Sequence, residues 1–415
     1  MMGIIQSATG LAVLIAVCAL FSSNRIAIRP SLLVKGLLLQ IIFALLLLKL
    51  PTTQFFFEFL NRGLELLQQS TAAGTTFVFG YLGGAELPYD EIRPGASYIL
   101  AYQTLPLVIV ISVLSALLIY WRVLPLIMRG CSYLLERTLG VGGAVGLAIA
   151  SNAFLGMVEA PLIIRPYLSK LTSSELFAVM MAGMATIAGT MLVIEAAVIS
   201  DVVPNATGHL ISASLITLPG VVYISHLLEP NTSEPTSSDK AIGRGGDSVI
   251  DVITKGTQMG LNLFLTIIAM VLVIVSLVHL LNALLNLLPD IFGAPWSLER
   301  ILGYLLAPLT WLMGIPWSEA VQAGQLMGTK TILTEFIAYI RLGEIPADAL
   351  SPRSRIIMTY ALCGFANFVS LGIMIAGLVT MVPARRDEIL SFGMKAIVGG
   401  TVATCTTACL IGILL

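Results

Sequence analysis

Long apolar runs separated by short polar segments set the first reading of the chain. Runs at about 4 to 21, 31 to 50, 99 to 121, 173 to 200, 206 to 228, 257 to 288, 353 to 382 and 391 to 415 approach or exceed the ~20 residues an α-helix needs to cross a hydrocarbon core of ~30 Å. They predict eight transmembrane helices. Continuous runs, rather than short stretches of alternating polarity, point to an all-α bundle and not a barrel. Between the second and third runs, TTQFFFEFLNRGLELLQQS (52 to 70) has apolar clusters broken by Glu58, Asn61, Arg62 and Glu65, the pattern of an amphipathic helix at the membrane interface.

Two apolar regions, 142 to 168 and about 317 to 341, are broken near their middles by polar or helix-disturbing residues. A segment that enters a membrane, turns and leaves on the same side is tolerated only where protein or water satisfies its backbone. Both regions are therefore predicted to be re-entrant hairpins. The polar linker EPNTSEPTSSDKAIGRGGD (229 to 247) divides the chain into halves. Each half then reads as an amphipathic segment, a hairpin, a broken helix and a final helix, at about 123 to 228 and 296 to 415.

Charge fixes the orientation. The segment before the first run has no Lys or Arg, whereas Arg25, Arg29 and Lys35 follow it; this argues against a cleaved signal peptide and places both termini outside. The loop 22 to 35, Arg122, Arg129, Arg137, the first hairpin's ends, the linker and Arg385-Arg386 then lie in the cytoplasm. The acidic stretch 86 to 91, Asp201 and the second hairpin's ends lie outside. The hairpins enter from opposite faces, as in an inverted repeat, with Arg341, Arg353 and Arg355 running against the bias. Secondary transporters bind cargo and ions where such repeats meet.

Composition supports this. Of 415 residues 57% are hydrophobic and 11% charged, against about 25% charged in soluble domains. Net charge is -1 with Lys and Arg scattered, which excludes nucleic acid as a partner. Cys18, Cys131, Cys363, Cys405 and Cys409 lie in or beside apolar runs without CxxC spacing; packing is their expected role.

The candidate chemistry lies at the hairpins and the breaks. FLGMVEAP (154 to 161) carries Glu159 beside Pro161, and GTKTILTEF carries Glu335. A buried carboxylate in a membrane marks a functional site unless it is held in an ion pair, here with Arg165 or Lys330. MATIAGT (184 to 190) and CGFANFVSLGI (363 to 373) interrupt the helices that follow. Such breaks offer hydroxyl, amide and freed carbonyl oxygens to a ligand, although small residues also serve close helix packing.

TTFVFG (75 to 80), FLGMVEAPLIIRPYL (154 to 168), SELFAVMMAGMATIAG (174 to 189), LAPLTWLMGIPW (306 to 317), GTKTILTEFIAY (328 to 339) and YALCGFANFVSLGI (360 to 373) resemble, in order, blocks of the concentrative nucleoside transporter family. The resemblance implies a homotrimer in the cytoplasmic membrane that imports nucleosides with sodium or protons by an elevator-like movement. It implies scaffold helices and an interfacial helix in 1 to 122, transport-domain repeats in 123 to 228 and 296 to 415, and a linker with a scaffold helix in 229 to 295. Carried over by position, it puts a sodium site at Asn152, Thr186 and the backbone of Leu155 and Ile187. The cargo site falls on Glu335, Phe365, Asn367 and Ser370, with Met157, Val158 and Glu159 at the base end; no other cofactor is implied.

The chain departs from the family at the tip of the first hairpin. The family usually reads Gly-Gln-Thr-Glu there, and this chain reads Gly156-Met157-Val158-Glu159. Each lost hydrogen bond to a base is worth about 0.5–1.5 kcal/mol, so altered base recognition is expected. Thr334 replaces an asparagine, Val369 a serine, and Glu195 a tyrosine. Glu195 is read either as a helix face paired with Lys330 or turned to water, or as a coupling or substrate residue. Other readings are a carrier of a different small polar solute, or a channel or sensor on this fold. The residues support an intramembrane enzyme least: Ser97 and His209, His226 and His279 lie on separate segments, and there is no intramembrane Asp pair.

Overall fold

The computed structural model describes residues 2–90, 97–231, 233, 234, 236, 248–288, 295–346 and 348–415. Most of the linker at 229–247 and residue 91 of the acidic stretch fall outside them. Among the described residues eighteen α-helices follow one another: α1 (Met2–Leu20), α2 (Pro30–Lys49), α3 (Pro51–Phe79), α4 (Leu100–Gln103), α5 (Leu107–Tyr120), α6 (Val123–Leu139), α7 (Gly143–Asn152), α8 (Glu159–Ile163), α9 (Ser173–Ala185), α10 (Gly189–Ile199), α11 (Ala206–Leu228), α12 (Val249–Leu285), α13 (Leu298–Leu312), α14 (Trp317–Ile332), α15 (Glu335–Glu344), α16 (Pro352–Leu362), α17 (Phe368–Met381) and α18 (Arg386–Leu414).

The eight expected crossings correspond to α1, α2, α4–α5, α9–α10, α11, α12, α16–α17 and α18. Seven of them are long and apolar enough to span a bilayer by composition alone, and the eighth, α16–α17, is shortened by its break. The hairpins are α7–α8 and α14–α15. The amphipathic helices α6 and α13 precede them, and α13 bends by 116° into α14.

Three elements differ from the sequence reading. The amphipathic segment is one helix of 29 residues that runs on to Phe79, because no proline follows Pro51 before Phe79. It stops where Gly80 takes the left-handed φ of +59°, open to glycine at little cost. The third crossing is split by Thr104–Pro106, where Pro106 supplies no N–H. α12 begins at Val249, where the Ser248 hydroxyl accepts from the Asp251 N–H; its 37 residues extend ~55 Å.

Burial separates an inner from an outer layer. The apolar windows of α9–α10, α11 and α18 are 78%, 89% and 72% buried, against 28% for α1, 22% for α2 and 12% for α12. Small residues allow the close approaches. Gly399 and Gly400 of α18 seat Met181 and Met184 of α9, while Gly256 and Gly260 of α12 meet the backbone of Val113 and Ile109 on α5. The second pair is a GxxxG spacing. A buried polar chain also ties α2 to α11 and α18: Tyr223 donates to Gln40 at 2.9 Å, and Gln40 donates to Thr407 at 3.0 Å.

The hairpins enter from opposite faces. At one face, Gln6 donates to the Ile315 carbonyl, Ser7 to Met313, and Ser351 to Glu319 at the start of α14. Arg353 there bridges the carbonyls of Gly314 and Gly412, so both chain ends share this face. At the other face, Ser23 meets Leu228 and Glu229, Arg385 donates to the carbonyls of Leu168 and Leu171 at the end of the first hairpin, and Thr236 bonds Glu175.

The three arginines that oppose the charge bias have structural duties. Arg355 donates to the carbonyls of Leu350, Leu342, Ile345 and Pro346, and Arg341 pairs with Glu299 at 3.0 Å. Arg353 and Arg355 are held by carbonyls near helix ends, where positive charge is favoured.

Candidate functional site

Helix interruptions converge at the centre of the bundle. In the second hairpin, α14 ends at Ile332, and Thr334 caps α15 by accepting from the Ile337 N–H at 3.3 Å. Glu335 is thereby the first residue of α15, at its positive end. In the second broken helix, Asn367 caps α17: its Oδ1 accepts from the Ser370 N–H at 2.7 Å. Its Nδ2 donates to Glu335 Oε2 at 2.8 Å. Glu335, Asn367 and Ser370 are all buried. Asn367 Nδ2 thus makes a charge-assisted hydrogen bond, and the remaining carboxylate acceptor sites suit a donor such as a sugar hydroxyl.

The first half contributes the complementary break. Phe365 donates its N–H to the Thr186 carbonyl at 3.3 Å, joining the interruption after α16 to the one after α9. Gly364 makes this approach possible: a Cβ there would lie 3.0 Å from Ala185 backbone atoms, and its φ is +157°. The Thr186 hydroxyl lies 3.0 Å from the Asn152 carbonyl and 2.9 Å from that of Ala182. Asn152 Nδ2 donates to the Ala148 carbonyl, while its Oδ1 is buried without a hydrogen-bond partner. Leu155 is half-buried and Ile187 fully buried. Gly189 N–H donates to the Phe154 carbonyl at 3.1 Å, so the hairpin tip is fastened to the break. An orphaned amide oxygen costs about 1–3 kcal/mol. Beside hydroxyl and carbonyl oxygens, it is a donor set suited to a small hard cation.

The tip of the first hairpin is packed rather than polar. Met157 lies over Gly183 of α9, where an added Cβ would be 3.0 Å from the Met157 Cβ. The methyls of Val158 lie 2.9 and 3.0 Å from a Cβ placed on Gly377 of α17. Glu159 was expected to be buried, and the structure corrects this: it is exposed. Its carboxylate folds back over Gly156, Oε2 coming to 2.1 Å from where a Cβ would stand. The missing side chain leaves that space.

Glu195 on α10 is fully buried, and neither carboxylate oxygen has a hydrogen-bond partner. Lys330, also fully buried, donates instead to the Ala361 carbonyl at 2.8 Å and to Thr404 at 3.2 Å. The ion-pair alternative for Lys330 is therefore not realised with Glu195 or Glu335. The seats Gly183 and Gly377 and the anchors of Lys330 have no signal in the sequence beyond the charge of Lys330 itself. Two departures acquire local reasons. Thr334 is a helix cap, and Val369 packs with Leu333, Ile337 and Val278.

Comparison with known proteins agrees with this arrangement. Residues 9–82 and 209–412 match the N- and C-terminal models of the Na+ dependent nucleoside transporter, and 101–201 match a gate model described as nucleoside recognition. Nucleoside permease NupC of Helicobacter pylori is 34% identical, covering 98% of this chain and 97% of its own. Solute carrier family 28 member 3 of the hagfish Eptatretus stoutii is 33% identical; 98% of this chain aligns with only 60% of that longer protein. The solved structure of CNTnw in an inward-facing substrate-bound state superposes with a TM-score of 0.91 at 32% identity, covering 99% of this chain and 97% of that one.

Proposed function

Since the chain belongs to the sodium-dependent nucleoside transporter family, we propose that it is a symporter that imports nucleosides or nucleoside-like ribosyl compounds on a sodium gradient. Glu335, Asn367, Ser370 and Phe365 hold the sugar; Met157, Val158 and Glu159 form the base end. Asn152 and Thr186, with the carbonyls of Leu155 and Ile187, hold the ion. The observation that carries the reading is the continuity of the two clusters: Thr186 offers its hydroxyl to the ion side and its carbonyl to Phe365 on the cargo side. An ion that draws Asn152 and Thr186 together fixes the first hairpin's tip and, through Phe365, the floor of the cargo site. Sodium binding thus pre-orders the cargo site, which is reciprocal coupling.

The repeats 123 to 228 and 296 to 415 form the moving unit, and 1 to 122 and 229 to 295 the scaffold. Three copies assemble in the cytoplasmic membrane with both termini outside, in keeping with the shared face of the chain ends. The loss of Gln and Thr at the tip points to relaxed or altered base selection. Glu195 accepts no hydrogen bond from either cluster. Uptake of radiolabelled nucleosides into proteoliposomes, with a sodium gradient and with choline, tests the reading. Sodium-driven accumulation of at least one ribosyl compound is expected; no gradient-driven uptake of any of them overturns it.

A further inference from the structure

We propose that Glu195 is a proton-binding site that moves with the cargo, so that in this chain a proton can stand in for sodium as the coupling ion. The inference rests on the reading of the chain as a cation-coupled carrier. Glu195 is fully buried in α10, and neither carboxylate oxygen has a hydrogen-bond partner. A structural carboxylate is normally held by donors; one without them is badly solvated when ionised. The neutral acid carries no such penalty, and protonation is the simplest way to satisfy the site.

The surroundings supply no competing partner. The charged groups acting on Glu195 are Lys330 of α14 and Glu335 of α15. Tyr339 of α15 faces the same region but donates its hydroxyl to the Thr359 carbonyl at 2.7 Å, and Cys363 lies at the break before α17. From α11, His209 is bonded to Tyr360 at 3.0 Å. α5, which also packs against α10, carries no charged side chain. Lys330 is the one fixed cation facing two carboxylates among these groups, so with both ionised the cluster is left with one uncompensated negative charge. A sodium ion at Asn152 and Thr186, or a proton on Glu195, removes it. Either ion therefore permits the site to cross the low-dielectric interior without net charge. The proton comes from water at the outer face, binds a Glu195 oxygen, and returns to water at the inner face; no bond in the cargo changes.

The test uses the full-length protein in proteoliposomes containing a pH-sensitive dye, with choline on both sides and an inward proton gradient. Radiolabelled nucleoside uptake and internal acidification are both read. Wild-type protein is expected to accumulate nucleoside and acidify the lumen without sodium. Glu195→Gln is expected to lose proton-driven uptake and acidification by about tenfold or more while sodium-driven uptake persists. Glu195→Tyr must behave in the same way, which guards against a defect peculiar to one variant. Proton-driven uptake that survives in either variant, or a wild type driven by sodium alone, overturns the inference and leaves the symport reading standing. If neither gradient moves cargo in the wild type, the symport reading fails and takes this inference with it.

Discussion

The two hairpin tips occupy equivalent places in the inverted repeat and are built from opposite materials. At the second, Asn367 donates to Glu335 at 2.8 Å and accepts from the Ser370 N–H, while Thr334 caps α15 by accepting from the Ile337 N–H. At the first, Met157 and Val158 sit on Gly183 and Gly377, and the acid, Glu159, is exposed, its carboxylate folded over Gly156. A polar cluster positions donors and acceptors to within tenths of an ångström, so it serves a ligand portion with fixed hydroxyls. A methionine and a valine on glycine seats accommodate different shapes. On the proposed function, the invariant part of the cargo would meet the second hairpin and the variable part the first.

Substitutions at the second tip should carry the largest effects. Glu335→Ala leaves the buried Asn367 amide without its acceptor and removes the charged partner of the cargo. Since hydrogen bonds to charged groups are worth about 1.5–3 kcal/mol each, uptake should fall ~100-fold or more in a transport assay. Asn152→Ala removes the orphaned oxygen of the ion cluster. Sodium's apparent affinity should fall roughly tenfold or more, read from the sodium dependence of nucleoside binding.

At the first tip the effects should be smaller and steric. Gly377→Ala places a methyl against Val158, and overpacking of this kind costs about 1–3 kcal/mol. Thermal unfolding should show the loss, and Val158→Ala in the same chain should recover most of it, since contacting residues are non-additive. Met157→Gln with Val158→Thr restores two groups able to bond a base, and affinity for ordinary nucleosides should rise about 5- to 150-fold by calorimetry, at about 0.5–1.5 kcal/mol per bond. The smallest effect expected is that of Thr334→Ala, a lost cap worth about 1 kcal/mol of stability, with Thr334→Asn close to neutral.

The sequence carried the fold further than the site. The span pattern and the polar breaks located the eight crossings and both hairpins, because membrane insertion is decided by local hydropathy and backbone satisfaction. α3 was read short because its second part is neither charged nor clearly amphipathic, although Gly80 marked its end. Glu335 and Asn367 could be singled out because a buried acid and a buried amide each require a partner. That they are each other's partner depends on the break before α17 being brought to the start of α15, which no local pattern encodes. The same holds for Glu159, whose exposure follows from the space above Gly156, and for Gly183 and Gly377, which looked like ordinary small residues of membrane helices.

The link between ion and cargo through Thr186 and Phe365 is tested most directly by titrating purified protein calorimetrically with a nucleoside that it transports, in sodium and in choline, alongside Asn152→Ala. The expected result is an affinity at least about tenfold higher in sodium, with that difference abolished in the variant. Equal affinity in the two salts for the wild type would contradict it.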